Sequence, residues 1–110
     1  MEGKEAVRGF YVYGCNPANT VSDQQLIIRG LEREDLFTVV HERFMTDTAR
    51  YADIVLPATF SVEQTDIYRA YGYCTLSTGR KLVDAPGECR SNWDTFCLLA
   101  KGMGYADDYF

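Results

Sequence analysis

The chain has 110 residues, 46% hydrophobic and 25% charged, the balance of an ordinary globular domain, so collagen-like, low-complexity and disordered readings are excluded. Its 11 basic and 16 acidic side chains leave a formal charge of −5 with no basic run, which argues against nucleic acid or an anionic membrane as the main partner. A chain of this size buries roughly two thirds of the surface its unfolded form exposes, which predicts one domain over residues 1–110 and excludes two lobes around an enclosed cleft.

No segment approaches the roughly 20 apolar residues of a membrane span, and Met1 to Phe10 (MEGKEAVRGF) lacks the apolar stretch of a signal peptide. Cys15, Cys74, Cys89 and Cys97 are even in number, which would permit two disulfides, but show no CxxC or other metal-type spacing. They are expected to be free thiols in a reducing compartment, the cytoplasm, packed as small core hydrophobes.

Val7 to Tyr13 (VRGFYVY) is β-branched and aromatic and stops at Gly14, which predicts a buried strand. Turn formers follow (GCNPANTVSD), and Ser22 with Gln25 has the spacing of a capping box. Leu26, Ile27 and Leu31 then give one apolar face to a helix expected from about Ser22 to Glu34. Leu36 to Val40 (LFTVV) reads as a second strand, buried on both faces as in a parallel sheet. A helical turn over Thr46 to Tyr51 and a third strand over Asp53 to Leu56, ended by Pro57, complete a β-α-β-α-β series. Such alternation predicts an α/β fold: a Rossmann-like three-layer unit with a short, mostly parallel, doubly wound sheet flanked by helices.

Ser61 to Arg80 is polar and tyrosine-rich and reads as a long excursion, with a short strand near Cys74 to Thr78. Its YRAYGY run suits either packing or an interface. Ser91-Asn92-Trp93-Asp94 again has cap-like spacing, and Trp93, Phe96, Cys97 and Ala100 share one face of a last helix ending near Lys101.

In open parallel sheets, ligands sit beyond the carboxyl ends of the strands. Three segments fall there: Gly14-Cys15-Asn16-Pro17, His41-Glu42-Arg43-Phe44, and Pro57 to Gln64. Asn16 offers an amide in a tight turn, and the backbone N–H groups of Ser22 to Gln24 suit an anion. The carboxylate of Glu42 can accept two parallel hydrogen bonds from an edge such as N1–H and N2–H of guanine, or pair with Arg43 or Arg50. His41, the only histidine, cannot build a usual metal site alone. Glu63 and Asp66 are a weak candidate for paired catalytic carboxylates and more simply partners for Arg69 or Arg80. No GxxxxGK[ST] loop or GxSxG elbow is present, and Gly102-Met103-Gly104 follows a helix where a dinucleotide fingerprint precedes one.

GCNP after a strand, VVHERFMTDTARYADIVLPATFSVEQTDIY and APGECRSNWDTFCLLAKGMGY together closely resemble a stretch of the molybdopterin oxidoreductases, the group of dimethyl sulfoxide reductases, nitrate reductases and formate dehydrogenases. The string T-x-T-A-x-x-A-D-[IV]-[IV]-L-P, here Thr46 to Pro57, is its most specific part, and the match runs from about Arg8 to Tyr105. The resemblance implies a piece of a longer enzyme, most of the third, α/β domain, which helps to hold the guanosine end of a molybdopterin guanine dinucleotide. It further implies that Asn16, His41, Glu42, Gln64 and Asn92 are cofactor-binding, with no catalytic or metal-ligating residue in this chain. Glu42 stands where the family usually has Asp, and Asn92 where it often has Asp. Thr65 to Arg69 replaces a glycine-rich stretch of many members. The remaining domains of the same enzyme are the implied partners, with molybdenum or tungsten and the redox chemistry outside this chain. Stripped of those neighbours, the chain is expected to be inactive and open to artificial self-association. The alternative from a different class is a stand-alone interaction module that keeps the fold and contacts a partner through its tyrosine-rich loop.

Overall fold

The computed structural model of the protein describes residues 6–105, and the chain divides into two compact units, Met1–Pro57 and Ala58–Phe110.

In the first unit, β1 (Gly9–Tyr13), β2 (Phe37–Glu42) and β3 (Ile54–Pro57) form a parallel sheet in the order β1-β2-β3. Parallel strands need crossover connections. The first carries α1 (Pro17–Thr20) and α2 (Gln24–Leu31), and the second a 3₁₀ turn, Thr48–Tyr51. The parallel α/β architecture is the one the sequence predicts. The doubly wound order is not formed by the described strands: each is added on the same side of the one before, and a reversal needs a further strand on the far side of β1. The central strand β2 carries the core. Val40 is fully buried, and it clusters with Val12 and Ala49, with Ala52 packed against them.

Local chemistry sets the element ends. Gly14 takes φ +60° directly after β1, a conformation without steric cost for glycine, and so turns the chain out of the sheet. The cap of α2 is Asp23, not Ser22. Asp23 sits at φ 58° with its carboxylate accepting from the Leu26 N–H at 3.2 Å, and a charged acceptor complements a helix start better than a hydroxyl. The expected Ser22–Gln25 box therefore does not form. Strand β2 runs two residues further than its apolar run, so His41 and Glu42 are strand residues opposite Leu56 and Pro57, not loop residues beyond it.

In the second unit, β4 (Asp66–Arg69) and β5 (Leu76–Gly79) form an antiparallel hairpin, and α3 spans Asn92–Gly102. The second hairpin strand matches the one expected near Cys74 to Thr78, whereas β4 lies in the stretch expected to be an irregular excursion. The Tyr68 ring lies across Gly79, where an added methyl would come within 2.5 Å of it, so β5 stays unbranched there. Ala58 bridges to Arg90, and the Thr59 N–H donates to the Arg90 carbonyl at 3.1 Å. α3 begins as its spacing predicts: the Ser91 hydroxyl accepts from the Asp94 N–H at 3.0 Å and donates to the Asp94 carboxylate at 2.7 Å. Its buried positions are Thr95 and Ala100, with Phe96 and Cys97 half-buried, whereas Trp93 is 64% exposed and leaves the predicted face. All four cysteines are unpaired, but Cys15 and Cys74 are exposed, so they are not the core hydrophobes expected. No helix among the described residues is long and apolar enough to cross a membrane.

Candidate functional site

The carboxyl edge of the parallel sheet is built by Tyr13, His41-Glu42 and Leu56-Pro57 with the loops that leave them. Tyr11 and Tyr13 share one face of β1 with ring centroids 6.3 Å apart, and burial, then the neighbouring phenol, pushes the Tyr11 hydroxyl pKa up.

Asn16, three residues beyond β1, is tied to the turn between β2 and β3. Its side-chain oxygen accepts from the Thr48 N–H at 3.1 Å and from the Thr48 hydroxyl at 2.7 Å. Its side-chain nitrogen donates to Asp47 at 3.5 Å. The fully buried Thr48 hydroxyl in turn accepts from the Ala18 N–H at 3.0 Å. A short-range bond shapes the same turn, the Thr46 hydroxyl accepting from the Ala49 N–H, and a longer-range one ties its end to β2, the Asp53 carboxylate accepting from the Thr38 N–H at 2.7 Å. The threonines, alanines and aspartate of Thr46 to Pro57 are thus residue types chosen by wiring. Hydroxyls and a carboxylate satisfy backbone N–H groups, while Ala49 joins the core and Ala52 packs against it. Thr48 and Asp53 are the residues that motif spacing singled out without revealing what they do.

Glu42 ends β2 with a side chain only 9% exposed. One carboxylate oxygen accepts from the Arg43 N–H at 2.8 Å and lies 3.7 Å from the Arg43 guanidinium, so of the two arginines considered it faces Arg43. A carboxylate accepts about four hydrogen bonds, so this one keeps accepting capacity. His41, beside it, is 1% exposed, a packed residue of the central strand.

Gln64 and Asn92 belong to the second unit. The Gln64 oxygen accepts from the Thr59 hydroxyl at 2.6 Å and its nitrogen donates to Asp66 at 3.0 Å. Asn92 is the exposed first residue of α3. A cleft of about 740 Å³ in this unit is lined by Thr59, Gln64, Asp66, Lys81, Arg90 and Asp94 among others, but not by Asn92. Lys81 and Arg90 in it were not singled out by sequence reasoning, because isolated cations carry no spacing signal. Glu63 and Asp66 do not act as a pair holding Arg69 or Arg80. Glu63 accepts from the Phe60 N–H at 2.8 Å, closing a turn, and Asp66 from Gln64 and the Ile67 N–H. Among the described residues, no group of three or more His, Cys, Asp or Glu side chains is placed to hold a metal.

A parallel sheet with polar loops at its carboxyl edge defines an α/β unit of the class that binds ligands outside the strand ends. The family model described as molybdopterin oxidoreductase matches residues 1–102, and the chain belongs to that family. It is similar to the probable oxidoreductase YoaE of Bacillus subtilis (44% identical, over 97% of this chain and 16% of that protein). It is also similar to the dimethyl sulfoxide/trimethylamine N-oxide reductase of Rhodobacter capsulatus (36%, over 94% and 13%). The F420-dependent formate dehydrogenase subunit alpha of Methanocaldococcus jannaschii is 32% identical over 98% of this chain and 16% of its own. The chain therefore spans under a fifth of the length of these relatives.

Proposed function

We propose that this chain is the part of a molybdenum or tungsten oxidoreductase that holds the guanosine end of a molybdopterin guanine dinucleotide, with the remaining domains of the same enzyme as its partners. Family membership supports a molybdopterin cofactor and an oxidoreductase. The observation that carries the finer reading is Glu42: a mostly buried carboxylate at the carboxyl edge of the sheet, anchored through one oxygen by the Arg43 N–H and still able to accept.

Taken one by one, these residues have chemistry that suits such a group. Guanine offers adjacent N1–H and N2–H donors, which match a carboxylate bidentately, whereas adenine presents an acceptor beside a donor and leaves one carboxylate oxygen facing a lone pair. Asn16 and Gln64 have their side-chain oxygens engaged within the chain and keep amide hydrogens for ribose or phosphate oxygens. Asn92, exposed at the start of α3, offers both an acceptor and donors, and His41, buried on the opposite face of β2 from Glu42, fixes the strand that carries Glu42. When bound, the pterin and its metal supply the oxidation and reduction; this chain binds and orients, and alone it is inactive.

Calorimetric titration of the chain with GDP tests the reading. Weak binding is expected, and Glu42→Ala removes it. Binding unchanged in that variant contradicts the role given to Glu42.

A further inference from the structure

An asparagine side chain shows a ligand either a donor or an acceptor, depending on which way its amide is turned, and at position 16 the surroundings settle which. The backbone N–H of Thr48 can only donate, and it points at the Asn16 side chain from 3.1 Å, so the carboxamide oxygen must face it. The Thr48 hydroxyl reinforces this choice. It accepts from the buried Ala18 N–H at 3.0 Å, and its single proton is donated to the Asn16 oxygen at 2.7 Å. Both donors converge on one oxygen from a residue that is fully buried and cannot turn to another partner. The Asn16 nitrogen is left on the outer side, with only the long 3.5 Å contact to the exposed Asp47, which a ligand atom can replace at small cost.

We infer that Thr48 is a positioning residue that locks the Asn16 carboxamide with its oxygen inward, so that the loop after β1 meets a ligand with hydrogen-bond donors and selects an acceptor oxygen there. The inference rests on the reading that Asn16 touches the cofactor, and adds which polarity it presents and what enforces it. A phosphate oxygen and a sugar oxygen satisfy that polarity equally. Thr48 touches no ligand itself; it acts through Asn16.

The experiment is solution NMR on the full, doubly labelled chain. In the wild type, a through-hydrogen-bond coupling is expected between the Thr48 backbone nitrogen and the Asn16 side-chain carbonyl carbon, with a side-chain amide order parameter close to that of the neighbouring backbone. Thr48→Val, which keeps shape but loses the hydroxyl, should drop that order parameter clearly below the wild-type value, and Thr48→Ser should restore it. Loss of fold stability alone does not produce this pattern of loss and rescue. Absence of the coupling in the wild type overturns the lock, and so does an Asn16 amide as rigid in Thr48→Val as in the wild type. If Thr48→Val does not fold, the wild-type coupling and the Thr48→Ser order parameter decide.

Titration with GDP and with guanosine then reads the ligand side. Shifts at the Asn16 amide with both ligands indicate a sugar oxygen, and shifts with GDP alone a phosphate oxygen; either supports the inference. Shifts at Glu42 with none at Asn16 overturn the ligand role of Asn16 while leaving the guanosine reading standing. With the coupling present and neither residue shifted by either ligand, the lock holds and the guanosine reading is what fails.

Discussion

In Met1–Pro57 the polar side chains Thr38, His41 and Thr48 are buried to 1% exposure or less, beside the core residues Val12, Ala18, Leu31, Val40 and Ala49. In Ala58–Phe110 the buried positions among the described residues are Thr95 and Ala100 alone, and every residue of β4 is exposed. The difference shows two ways of making a polar edge. The first unit buries polar residues and joins distant segments through them, as Thr48 does with Asn16 and the buried Thr38, through its N–H, with the exposed Asp53. The second buries one polar side chain, Thr95, which bonds within its own helix turn to the Ser91 carbonyl, and keeps the others in short turns such as Glu63 to the Phe60 N–H and around an open cleft. A buried bond is costly to leave half made, so substitutions in the first unit should propagate and those in the second should stay local.

Four substitutions break or sharpen that contrast. Val40→Ala removes two methyl groups from the fully buried centre of β2 and should cost about 2–3 kcal/mol in chemical denaturation, the largest effect expected. Asp53→Ala leaves the Thr38 N–H without its charged acceptor and should cost about 1.5–2 kcal/mol by the same measurement, loosening β3 from β2. In the second unit, Ser91→Ala removes the α3 cap and should cost about 1 kcal/mol, with hydrogen-exchange protection lost in the first turn of α3 only. Leu76→Ala, on the exposed hairpin, should fall within about 0.5 kcal/mol of wild type. If Leu76→Ala costs as much as Val40→Ala, the contrast between the units is wrong.

The smallest effect belongs to the exposed Arg33–Asp35 pair, whose 2.7 Å hydrogen bond holds the Asp35 carboxyl below its ordinary pKa. A carboxyl lowered on folding contributes stability above its unfolded pKa and loses it as pH falls through the folded value. Asp35→Asn should therefore differ slightly from wild type near neutral pH and converge with it in acid, a trend that melting temperature against pH resolves.

Strands β1, β2 and β3 were legible because β-branched and aromatic runs between turn formers have few other solutions. The Ser91 cap was legible because its partner Asp94 is three residues away. What stayed hidden depends on distant partners or on exposure. Ser22 and Asp23 are both good caps, and only the path of the loop decides for Asp23. Helical spacing places Trp93 with Phe96 and Ala100 but does not say what covers that face, and Trp93 is exposed. β4 has no apolar alternation because neither of its faces is buried. At the site, Asn16 and Glu42 could be picked out as polar groups at strand ends, but the role of Thr48, 32 residues from Asn16, is a tertiary contact that no local pattern encodes.

The role proposed for Glu42 in holding guanine is tested most directly by following backbone and side-chain NMR shifts during parallel titrations with GDP and ADP. Shifts centred on Glu42, and extending to Asn16, with GDP and not with ADP are the predicted result. Equal shifts with both nucleotides, or none at Glu42 with GDP, would contradict it.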